Sequence, residues 1–219
     1  MNKKILILIL VILVVLIMGI IVGVTVLKDD DNITQENENQ INNEEIVSDE
    51  VKEENTQNET NEKKNLIVYF SQTGNTQEVA NIIQSLVGGD IVKLETVEPY
   101  PEDYSTLSTI AQQEKDDNAR PQLTTNIENI DEYDTIFLGY PIWFSDMPMS
   151  LYTFLDEYDL SGKTIAPFCT SGGSGLSGTP VVIQTKEPNA TVTGGLSISS
   201  SNASNLQSEV QEWLDRIGL

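Results

Sequence analysis

Side chains able to do chemistry are scarce in this chain. Among 219 residues there is no histidine and one cysteine, Cys169. A histidine-based triad, a zinc site of His and Cys, and an internal disulfide are thereby excluded. Carboxylates, hydroxyls and backbone groups remain, and three short stretches concentrate the last two. The first is S-Q-T-G-N-T, residues 71–76. Ser71, Thr73 and Thr76 bring hydroxyls, Gln72 and Asn75 bring amides, and Gly74 permits a tight turn. Placed before a helix, these groups join free N–H donors and the positive end of the helix dipole. That combination holds an anion such as a phosphate without a cation. The same residues serve equally as a capped turn between strand and helix. Neither the spacing and lysine of a nucleoside-triphosphate loop nor the glycines of a dinucleotide fingerprint are present.

The second stretch is G-Y-P-I-W-F-S-D-M-P, residues 139–148, and the third is C-T-S-G-G-S-G, residues 169–175. In the second, Trp143 on a proline-flanked, rigid loop presents a platform for a flat ring. Phe144 is expected to pack on the next helix. In the third, three glycines, Gly172, Gly173 and Gly175, let the backbone approach a ligand closely; a flexible loop is the plainer alternative. Cys169 reads as a small buried hydrophobe rather than a redox centre.

The elements that must position these stretches follow from hydrophobic period. Residues 65–70, 91–95, 135–140, 164–169 and 191–198 read as strands, and 77–86, 102–117, 149–157, 178–186 and a C-terminal segment read as helices. In the last, Asn205 is placed to cap, with Leu206, Val210, Trp213, Leu214 and Ile217 as the apolar stripe. Alternating strands and helices imply an α/β fold: a doubly wound, five-stranded parallel sheet of order 2-1-3-4-5. The three stretches follow strands one, three and four, so they converge at the carboxyl ends of the sheet, where such folds bind ligands.

Three segments divide the chain. Residues 5–27 carry no charge and follow Lys3 and Lys4. As a helix they would reach about 34 Å, enough to span a bilayer. The run is longer than a signal peptide's apolar region and lacks an Ala-x-Ala end, so an uncleaved anchor over 1–27 is expected. Two lysines before the span and an Asp-rich start after it place the body outside the cytoplasm. Residues 28–63, with 13 acids and 3 lysines, form a self-repelling disordered linker. Residues 64–219 form the globular domain, where 21 acids and 7 bases give −14 of the chain's −22. This charge speaks against nucleic acid as a partner.

The motifs S-Q-T-G-N-T, E-P-Y-P-E-D-Y, D-N-A-R-P, G-Y-P-I-W-F, L-S-G-K-T-I-A-P-F-C-T-S-G-G-S-G and E-V-Q-E-W-L span this domain in order. Together they resemble the flavodoxin family, and more closely its bacterial flavodoxin-like branch. The resemblance implies a flavodoxin-like three-layer sandwich with noncovalent FMN. Ser71, Gln72, Thr73, Gly74, Asn75 and Thr76 would hold the phosphate. Pro141, Ile142 and Trp143 would border the isoalloxazine, and Thr170, Ser171, Gly172 and Gly173 would meet its polar edge. The third stretch lacks the aromatic that many flavodoxins place on the second ring face, and Tyr100 is a candidate to cover it. The implied function is a membrane-tethered electron carrier exchanging electrons with a redox protein or a membrane donor or acceptor. An FMN-dependent reductase of quinones is the alternative, and a flavin-free binding module a third reading.

Overall fold

The computed structural model describes residues 63–199 and 205–219. The expected anchor (1–27) and, apart from Lys63, the expected linker (28–63) lie outside the described residues. Among the described residues no helix is long and apolar enough to cross a membrane.

Strand β1 (Asn65–Tyr69) lies between β2 (Asp90–Lys93) and β3 (Thr135–Pro141), parallel to both. Strand β4 (Thr164–Ser171) extends the sheet, followed by β5 (Thr191–Val192) and β6 (Leu196–Ser199). The order β2-β1-β3-β4-β5 is the expected one. Among the described residues five α-helices cover it: α1 (Asn75–Val87), α2 (Tyr104–Asp116), α3 (Met149–Glu157), α4 (Thr179–Lys186) and α5 (Leu206–Ile217).

The near-continuous apolar run of β1 reflects burial on both faces. Leu66 and Val68 join Leu138, Leu151, Phe154 and Ile183 in one core, beneath α3 and α4. Ile67 and Tyr69 point the other way and join Val79, Ile83, Phe137, Val210 and Trp213, beneath α1 and α5. Helix α1 earns its place through Val79, Ala80 and Ile83, all fully buried. Each branched side chain so buried contributes roughly 1.5–3 kcal/mol. Helix α2 starts two residues later than expected, because Asp103 caps it by accepting from the Thr106 N–H at 2.8 Å. Pro148 stands at the N-cap of α3, directly before the expected helix start. Asn205 occupies the cap position of α5, but its side chain makes no capping bond.

The fifth strand departs from expectation. Instead of one strand over 191–198, the chain makes β5 and β6 on the same edge of β4, with a break between. Alternate residues of a parallel strand address the same neighbour. Ile165 O accepts from Thr193 N at 2.9 Å, so Pro167 addresses that same edge and has no N–H to offer. Pairing resumes at Phe168↔Leu196. At the break, a Cβ on Gly195 would lie 2.8 Å from the end of the Leu176 side chain and 3.1 Å from Pro167 O, so any larger residue would have to displace Leu176. The Gly194 carbonyl finds its donor in the indole of buried Trp213, at 2.7 Å.

Replacing Trp213 with Phe keeps a large ring but leaves that carbonyl unpaired. Urea unfolding is expected to show a loss of about 1–3 kcal/mol with an unchanged slope. Glu187, buried at the end of α4, gives a pH-dependent case. Burial holds its carboxyl above the ordinary range; the Leu160 N–H opposes this in part, and the charge of Asp159 adds to it. A raised folded-state value means the native protein binds this proton more tightly, so the ionised form is a cost at neutral pH. Glu187→Gln is therefore expected to stabilise the protein at about pH 7. The gain should vanish near pH 4, as the wild-type carboxyl protonates in both states. Urea midpoints at the two pH values test this.

Candidate functional site

The loops after β1, β3 and β4 meet in one cavity of about 520 Å³ at the carboxyl ends of the strands. Ser71, Gln72, Thr73, Asn75 and Thr76 line it from the first loop, and Pro141, Ile142 and Trp143 from the second. Thr170, Ser171 and Gly172 line it from the third. Gly74 and Gly173 do not line it; they shape the backbone that does. Gly74 caps α1 at φ 89°, and Gly173, at φ 133°, donates its N–H to Ser171 Oγ at 3.3 Å. Among the described residues, no charged side chain lines the cavity.

In the first loop, α1 begins without any side-chain cap, which leaves its first N–H groups free for a ligand. The Ser71 hydroxyl is buried and has no hydrogen-bond partner among the described residues. Gln72 Nε2 donates to Pro101 O at 3.1 Å, and Asn75 Nδ2 to Thr73 Oγ1 at 3.3 Å. Thr76 and Thr170 share one bond at 2.9 Å between their hydroxyls, across the two loops. Only one O–H is consumed in it, so the pair keeps a second O–H to give.

The second loop is a two-residue hairpin. Trp143 and Asp146 exchange backbone bonds of 2.8 and 2.9 Å around Phe144 and Ser145. Both central residues have positive φ, 49° and 60°, as a type I′ turn requires. Neither is glycine or asparagine, so each carries strain of order 1–3 kcal/mol. This geometry corrects the expectation for Phe144, which is 42% exposed and lines the cavity instead of packing away.

Tyr100 also differs from expectation. It does not line the cavity. Its hydroxyl donates to Glu114 Oε2 at 2.6 Å, and its ring meets those of Trp143 and Phe70 edge-on at 5.3 and 5.5 Å. Burial and the bond to Glu114 push its phenol far above the ordinary tyrosine value. Tyr100 therefore props Trp143 from behind. The free ring is Tyr104, 81% exposed, which lines the cavity with Leu107, Ser108 and Ala111 of α2. Those four were missed by the sequence reading. The available signal was their place: the helix opening after β2 starts at the same carboxyl edge.

Strand β4 runs to Ser171, so Thr170 belongs to the sheet and pairs with Pro141. Cys169 below it is fully buried, and burial raises its thiol.

A switch-point cavity on a doubly wound sheet defines a ligand-binding α/β protein of the three-layer class. The flavodoxin profile matches residues 64–217, and the chain belongs to the flavodoxin family. A flavodoxin of Picosynechococcus sp. is 33% identical over 107 residues, 47% of this chain and 48% of that protein. One of Nostoc sp. is 30% identical over 119 residues, 52% of this chain and 55% of that protein. The chain thus spans about half the length of the curated relatives it matches. A structure of a candidate flavoprotein from Bacteroides eggerthii shares 32% identity with a TM-score of 0.64, covering 71% of this chain and 98% of that one. A flavoprotein from Lactobacillus acidophilus, solved in complex with FMN, shares 26% identity with a TM-score of 0.56, covering 69% and 98%.

The burial of Cys169 sets a reactivity. Ellman's reagent is expected to leave the native protein unlabelled and to react with one thiol only on unfolding. Rapid labelling without denaturant would reverse this reading of Cys169.

Proposed function

We propose that this protein binds FMN in the cavity described and carries electrons at a membrane. The observation that carries the reading is the pairing of two unlike ends in one uncharged cavity. One end has hydroxyls, a buried unpaired Ser71 and an uncapped helix N-terminus. The other has Trp143, Phe144 and Tyr104. Phosphate needs the first and a flat ring system the second. Ser71, Gln72, Thr73, Asn75, Thr76 and the first N–H groups of α1, set by Gly74, would hold the phosphate. Pro141, Ile142 and Trp143 would border the ring. The backbone around Thr170, Ser171, Gly172 and Gly173 would meet its polar edge. FMN, when bound, supplies one- and two-electron transfer. The chain's own contribution is to hold the anion with dipoles alone, keep charge off the lining, and limit water at the ring.

The apolar run 5–27 and the acidic linker support a tether that holds the domain outside the cytoplasm, beside membrane redox partners, at raised effective concentration. The aromatic surface at the cavity mouth, Tyr104 above all, favours a second reading: reduction of a quinone or similar flat acceptor. Steady-state turnover of NAD(P)H with a quinone separates an enzyme from a carrier.

The test of FMN binding uses Ser71. The wild-type protein is expected to be yellow, or to become so with added FMN. Ser71→Ala removes a buried unpaired hydroxyl, so it should stabilise the apoprotein by about 1 kcal/mol while weakening FMN binding. Ser71→Asp should weaken binding far more, by charge repulsion. Equal FMN affinity in all three proteins would place the phosphate elsewhere.

A further inference from the structure

The strained turn that presents Trp143 and Phe144 to the cavity is not held by its own backbone alone. Residues with positive φ and a side chain persist only where their surroundings over-determine them. Here Phe144 and Ser145 sit at 49° and 60° in succession. On one side, Asp146 is fixed: its Oδ1 accepts from the Met147 N–H at 2.8 Å and the Tyr152 hydroxyl at 3.0 Å. On the other side stands one cation from a different element. Lys115, in the last turn of α2, donates from Nζ to the Phe144 carbonyl at 2.5 Å. The same ammonium lies 3.9 Å from Asp146 Oδ2. One group thus ties the central peptide of the turn to its closing residue.

From this geometry we propose that Lys115 is a positioning residue of the ring-binding loop: its ammonium, bonded to the Phe144 carbonyl and paired with Asp146, sets the turn that offers Trp143 and Phe144 to the cavity. The ion pair is partly exposed and weak by itself. The bond to the carbonyl is charge-assisted and short, and it fixes the orientation of the Phe144–Ser145 peptide. The neighbouring residue on α2, Glu114, reaches Trp143 by the other route, through the Tyr100 hydroxyl and ring. Consecutive residues of one helix therefore brace the loop from two directions, while the first half of that helix lines the cavity itself. The loop and α2 act as one unit.

The inference rests in part on the flavin reading, so one readout is chosen that needs no flavin. Trp143 and Trp213 are the only tryptophans, and Trp213 is fully buried. Acrylamide quenching of the full-length apoprotein therefore reports Trp143. Lys115→Met keeps the aliphatic stem and removes the ammonium, and Lys115→Arg keeps a cation able to donate to the same carbonyl. Quenching is expected to rise about twofold in Lys115→Met and to stay near wild type in Lys115→Arg. The FMN dissociation constant should rise roughly tenfold in Lys115→Met, the scale of a lost charge-assisted bond. Unchanged quenching in Lys115→Met would overturn the proposal, as would equal damage from Lys115→Arg. If quenching follows the expected pattern while no form binds FMN, the lock stands and the flavin reading falls.

Discussion

The site depends on the register between β1, β3 and β4. Tyr69 pairs with Gly139, and the pairing continues past β1, with Phe70 N donating to Gly139 O at 2.9 Å. Pro141 pairs with Thr170, and Ile142 N donates to Thr170 O at 2.8 Å. The three loops thus leave the sheet at matched heights, which lets Thr76 meet Thr170. A slip of one residue would turn Leu66 and Val68 toward the wrong core and separate the loops together. Gly139 shows how tightly this register is set. A Cβ there would lie 2.2 Å from the Phe168 ring, which crosses directly over it.

Charge is arranged with similar economy. The domain carries −14, yet the cavity lining is neutral. Lys115 reaches the back of a lining residue and stays outside the lining itself. Arg120 and Lys186 are engaged elsewhere, on Asp156 and over the Tyr152 ring. An anion held only by hydroxyls and peptide dipoles sits in a field that opposes it. An anion bound there would need every available donor, the Ser71 hydroxyl and the first N–H groups of α1 among them.

Strand order and the three converging loops were legible from period and position alone, because burial on both faces writes continuous apolar runs. The break in the fifth strand was not. Pro167 and Gly194-Gly195 stand in plain view, but which edge Pro167 addresses follows from register, which no local pattern encodes. Tyr100 was expected at the cavity, and Tyr104 was passed over, for a related reason. Both lie in one short run, and only the packing of Tyr100 against Phe70 and Trp143 decides which ring is spent inside. Phe144 was read as packing on the next helix because a type I′ turn carries no local signal where neither central residue is glycine or asparagine.

These misses share a cause. Local rules describe residues that lower their own energy, and the site collects residues that do not. Ser71 forgoes a partner, Phe144 and Ser145 accept positive φ, and α1 starts without a cap. Away from the site the same chain settles comparable demands: Trp213 satisfies Gly194, Asp103 caps α2, and Gly218 closes α5 at φ 74°. Comparable groups also stand outside the site: α5 lacks a side-chain cap, Asn118 has φ 48°, and Ser150 Oγ and Thr193 Oγ1 have no hydrogen-bond partner among the described residues. What distinguishes the carboxyl edge is convergence: Ser71, Phe144 and the start of α1 meet at one cavity whose walls share one register.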